Sequence, residues 1–176
     1  MLLIESISEK HTLSCGIDGV YGTADDGLPS SIQEFLQLCY YMKETAGVTP
    51  LCVTGQHIDY TAYLLQAFLG AFSGADGLHN YYDFNGEMNI ITGYDNSQDL
   101  FYEGSGIPTP TYQKTTITEK TGYLIRNTVE RYYVAQLLKI LQDNNFFNNG
   151  WLWSANSVKP YGVKTLNVFS MIGSTP

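Results

Sequence analysis

The chain has 176 residues, of which 15% are charged and 14% aromatic, and a formal net charge of -8. That length is enough to bury a sizeable core, while nine Lys and Arg set against 17 Asp and Glu, with no basic run, argue against a nucleic-acid partner. No stretch approaches the ~20 apolar residues that cross a bilayer as a helix. Met1-Leu2-Leu3-Ile4-Glu5 also lacks the basic start and long apolar run of a signal peptide, so the expected location is a virion or the cytoplasm of the producing cell. Three cysteines, Cys15, Cys39 and Cys52, without a Cys-x-x-Cys pair, point to reduced and mostly buried thiols.

In chain order, Leu3, Ile4 and Ile7 predict about two helical turns over residues 2–11. Gly16, Gly19, Gly22 and Gly27 then mark a turn or loop, in which Asp18-Gly19-Val20-Tyr21-Gly22-Thr23 displays an aromatic. Pro29 and a capping box of Ser31 with Glu34 announce a helix to about Glu44, with Ile32, Phe35, Leu36, Cys39 and Met42 on one face. Cys52 to Gly55 reads as a short extended piece. Asp59 can cap a second helix from Tyr60 to about Leu69. Residues 70–106 mix Gly, Asn, Asp and Tyr and predict a loop-rich region with one strand at Met88 to Thr92.

Ile107-Pro108-Thr109-Pro110 reads as a rigid connector, and Tyr112 to Thr118 as an edge strand. Asn127 and Glu130 can cap a long helix over 128–142, broken by Asp143-Asn144-Asn145. Trp151 and Trp153 would share a face of a strand, where with Tyr161 they could form a stacking platform for sugar rings, and Gly162 to Ile172 has the alternation of a terminal strand. The expected class is α+β: a small helical unit over 1–70 and a loop-rich α+β region over 71–176, with a few antiparallel strands, the two packed as one body.

Over those first 70 residues the chain resembles the small three-helix peptidoglycan-binding module of cell-wall hydrolases and phage endolysins. Asp18-Gly19-Val20-Tyr21-Gly22 matches its first turn, Ile32 and Phe35 its helix, Val53-Thr54-Gly55 its second turn and Thr61-Ala62-Tyr63-Leu64-Leu65 its last helix. Two places depart from the pattern: Ala24 to Pro29 is inserted after the turn, and Leu36 stands where Gln is usual. The resemblance implies wall-glycan or wall-peptide binding near Tyr21.

Chemistry is less well signalled. His11, His57 and His79 are the only histidines, and Cys52 near His57 is not a catalytic pair by sequence proximity alone. His79, Asp83 and Glu87 could gather a metal or acid–base group, and Asp95, Asp99 and Glu103 are spaced by four, but glycines surround both sets. Asp18, Asp25 and Asp26 offer oxygens to calcium, although an EF-hand would alternate its acids, and capping the next helix is the simpler use of these three.

No catalytic residue, metal or cofactor is therefore assigned. The contact residues expected are Asp18, Tyr21, Gly22, Thr23, Thr54, Trp151 and Trp153. A low-charge surface rich in Tyr, Asn, Gly and Thr suits contact with other subunits, so the expected function is a non-enzymatic structural or assembly protein, for example of a tailed-phage virion. A peptidoglycan-binding module and a small cell-wall hydrolase with its site in 71–176 are the alternatives.

Overall fold

The computed structural model describes residues 18–20, 22–24, 26–27, 29–53 and 58–149. The chain is α+β, in the order α1 (Ile32–Glu44), α2 (Ile58–Asp83), β1 (Gly86–Asp99), β2 (Pro108–Ile117), a 3₁₀ helix (Gly122–Asn127) and α3 (Val129–Asp143). Chain contacts divide it into one unit of Met1–Thr54 with Asn145–Pro176 and a second of Gly55–Asn144. The division expected near residue 70 falls inside α2. The expected helix over 2–11 and the strands at Trp151 and beyond Gly162 lie outside the described residues.

In the first unit, α1 starts where its capping box predicts. Ser31 Oγ accepts from Glu34 N at 3.2 Å, and Glu34 Oε2 accepts from Ser30 N and Ser30 Oγ at 2.7 Å. The reciprocal bond is thus made one residue earlier than in the standard box. Leu36, Cys39 and Met42 are buried at the helical repeat. Neither Cys39 nor the half-buried Cys52 is in a disulfide among the described residues. Leu51 and Phe147 form a parallel bridge, in which Leu51 N donates to Phe146 O and Asn148 N to Leu51 O. Asn148 Oδ1 extends it by accepting from Val53 N at 2.8 Å, and Phe146, fully buried, meets Tyr40 edge-on at 6.4 Å.

The second unit holds more regular structure than its composition predicts. Residues 70–106, expected to be mostly loop, contain the end of α2 and the whole of β1. α2 does not stop at Leu69. It breaks at Gly74, whose φ of 68° and ψ of 178° lie in a region open essentially only to glycine. Beyond the break the helix doubles back: a Cβ on Gly70 would stand 3.7 Å from Leu78 Cδ2, whereas eight residues of straight helix span about 12 Å.

β1 and β2 pair antiparallel, from Gly86 opposite Ile117 to Asp99 opposite Pro108, with irregularities after Ile91 and Asp95. Pro108 and Pro110, expected in a connector, belong to β2. As neither can donate a ladder bond, they are tolerated in a strand with no second neighbour among the described residues. Met88, Ile90 and Ile117 join Tyr81 of α2 and Ile125 of the 3₁₀ helix in a core that Leu69 and Leu124 flank.

α3 runs nearly as predicted and buries Val129, Val134, Leu137, Ile140 and Leu141. Its cap differs from expectation: the N-cap is Thr128, without a side-chain capping bond. Asn127 Nδ2 donates instead to Ile91 O at 3.1 Å, and Glu130 turns toward Tyr81 and Asn89. Tertiary partners outcompete the local cap. Among the described residues no helix is long and apolar enough to cross a membrane.

Candidate functional site

Of the contact residues expected from sequence, Asp18, Gly22 and Thr23 are exposed on one turn. Tyr21, Thr54, Trp151 and Trp153 lie outside the described residues. The turn is held by its own side chains: Val20 N donates to Asp18 Oδ1 at 2.8 Å, Gly22 N to Asp26 Oδ2 at 2.6 Å, and Thr23 Oγ1 to Val20 O at 3.2 Å. Asp18 and Asp26 thus each give an oxygen to loop backbone, which is the work acids and hydroxyls do in Asx-type turns. Asp25, the third calcium candidate, lies outside the described residues.

The acids further along the chain also serve local geometry. Asp95 Oδ1 accepts from Ser97 Oγ at 2.7 Å and Ser97 N at 2.8 Å, and these bonds hold its carboxyl below the usual range. Asp99 Oδ2 accepts from Gly104 N at 2.6 Å. His79 and Asp83 are an exposed pair one helical turn apart, 3.8 Å from each other, with Glu87 exposed on β1. Among the described residues no three His, Cys, Asp or Glu side chains are grouped to hold a metal ion.

A different set of residues converges in the second unit. Phe72 of α2 stacks on Phe101 at 6.0 Å, and both meet Tyr133 of α3 edge-on, at 5.4 and 5.9 Å. The row continues through Tyr132 to Tyr94 of β1, at 6.5 and 5.4 Å. Burial first, and then the nearby Tyr112 of β2, raise the phenol pKa of Tyr133. Tyr132 is fixed by donating its hydroxyl to Pro108 O at 2.9 Å. Tyr94 and Tyr112 remain 51% and 52% exposed, so the row opens to solvent on the hairpin side.

Phe101 enters this row at a backbone cost. Its φ is 69°, a left-handed value uncommon outside glycine. The loop that imposes it is closed by Leu100 N donating to Ile107 O at 2.8 Å and by the Asp99 bond to Gly104, with Leu100 buried beneath.

The same unit carries a groove of about 540 Å³ between α2 and α3. Ala62, Leu65, Gln66 and Leu69 line it from α2, and Val134, Ala135 and Leu138 from α3; Tyr81, Tyr82, Arg126 and Arg131 complete it. The Arg131 guanidinium sits 5.7 Å from the centre of the Tyr81 ring. The Tyr81 hydroxyl lies against Thr128 Oγ1 and donates to Glu130 Oε2 at 3.1 Å, while Asn89 Nδ2 donates to Glu130 Oε1 at 3.1 Å. Burial, the largest cause, pushes the Tyr81 phenol well above its ordinary pKa.

Neither feature is among the sites expected from sequence. The rings come from five separate segments, and the adjacent pair Tyr132-Tyr133 is the one local sign of an aromatic face on α3. No protein family model, curated protein or solved structure matches this chain.

Proposed function

We propose that this protein works by binding rather than by reaction, as a structural or assembly subunit of a larger particle such as a tailed-phage virion. The observation that carries this reading is the aromatic row ending in the exposed Tyr94, with the exposed Tyr112 near Tyr133. Contiguous exposed aromatic surface marks interaction sites more often than scattered single residues do. Tyrosine supplies large contact area with a polar tip and little rotamer entropy to lose. The strained Phe101 fits the same purpose, because a chain keeps a costly backbone conformation where its surroundings impose it.

The test is light scattering coupled to size exclusion across a wide concentration range. A defined oligomer is expected, and changing Tyr94 and Tyr112 together to Ser should shift it toward monomer. A monodisperse monomer at high concentration would remove the proposal.

Wall binding is a second reading, favoured by the exposure of Asp18, Val20, Gly22 and Thr23 on one turn closed by its own side chains. It predicts co-sedimentation with purified sacculi, lost on Tyr21→Ala. No sedimentation of the unchanged protein would end it.

A further inference from the structure

We propose that the α2–α3 groove is a binding site for a medium-chain aliphatic carboxylate. Its walls are two helical stripes: Ala62, Leu65, Gln66 and Leu69 on α2, and Arg131, Val134, Ala135 and Leu138 on α3. Each follows the i, i+3, i+4, i+7 spacing of a face that packs against something. The volume lies within the ordinary range for small-molecule sites, and an apolar lining with a few polar groups is their usual composition. Tyr81 and Tyr82, brought round by the break at Gly74, face the same space and bound it on a third side.

The charge of the ligand follows from the arginines. Arg126 and Arg131 are the only two arginines in the chain, and both line this groove. In a protein of net charge -8, neither forms an ion pair among the described residues. The nearest acid in sequence, Glu130, has its two oxygens engaged by Tyr81 and Asn89. Arginine, unlike lysine, offers a planar fork that matches a carboxylate. Arg126 and Arg131 flank the start of α3, and Leu138 lies seven residues beyond Arg131, about 10 Å along the axis. The groove thus has a cationic end and an apolar end, as an amphiphilic anion would require.

The test is isothermal titration of the full-length protein with decanoate, with decanol and decyltrimethylammonium as probes of the same tail without the anionic head. Saturable one-to-one binding of decanoate is expected, with both other probes at least tenfold weaker. Both arginines are exposed, Arg131 standing over the ring of Tyr81, so the double variant Arg126→Gln and Arg131→Gln should keep its circular dichroism and lose about tenfold in decanoate affinity. Ala135→Phe, which fills the groove, should abolish binding with both arginines in place. Absence of saturable decanoate binding, equal binding of decanol, or unchanged affinity in the arginine double variant would each overturn the proposal.

Discussion

At Tyr81 one phenol serves three neighbours, since it packs in the core, meets Thr128 and donates to Glu130. Tyr81→Phe keeps the ring but leaves Glu130 Oε2 without that donor, which should cost about 1–2 kcal/mol in urea denaturation at pH 7. The same substitution has a pH signature. Burial raises the folded-state pKa of Tyr81 above the ~10 of an unfolded tyrosine, so its protonated form stabilises the fold below about pH 10. That contribution is lost as pH rises, because the unfolded chain releases its proton first. Cys39, pushed up to about 12 by burial, acts in the same direction from about pH 8.5, where free thiols ionise. Stability should therefore fall on the alkaline side, and Tyr81→Phe should flatten the part above pH 10. A parallel fall in both proteins would refute this role.

Among the elements, α2 depends most on single backbone positions. Gly74→Ala places a Cβ where φ and ψ admit essentially only glycine, and the lost turn would separate Tyr81 and Tyr82 from the first half of the helix. At Gly86, just past the end of α2, φ is 84° and an added Cβ would collide with the side-chain amide of Asn80, which also donates to Glu87 O. Each Ala substitution should cost about 2 kcal/mol or more in urea denaturation, against near-neutral behaviour for Gln66→Ala at an exposed position of the same helix. Destabilisation no larger than that of Gln66→Ala would show that neither glycine is required. These glycines also explain what the sequence conceals. α1 and α3 are legible because their apolar repeats and end signals agree, at Ser31 and at Asn144. α2 beyond Leu69 is not: glycine lowers helix propensity, and the backbone of Gly74, at a φ of 68°, is what turns the helix there rather than ending it. β1 beyond Thr92 is hidden for a related reason, since Tyr94 to Asp99 is polar and lacks the alternation of a half-buried strand. The aromatic row is non-local, so no spacing along the chain announces that Phe72, Phe101 and Tyr133 meet.

For the whole molecule, the balance between charge and aromatic surface decides how association responds to salt. A net charge of -8 makes copies repel one another, and salt screens that repulsion over a Debye length of about 8 Å at physiological ionic strength and about 3 Å at 1 M. Contacts through Tyr94 and Tyr112 are neutral, so screening removes the repulsion and leaves the attraction intact. Association measured by light scattering should therefore strengthen between low salt and 1 M sodium chloride. Contacts built on ion pairs would weaken over the same range, because exposed pairs are themselves screened. The Tyr94→Ser and Tyr112→Ser double variant separates the two cases, since it retains every charge: its association should be weak at all salt concentrations. If association instead falls as salt rises, charged groups hold the copies together and the aromatic row is not the contact surface.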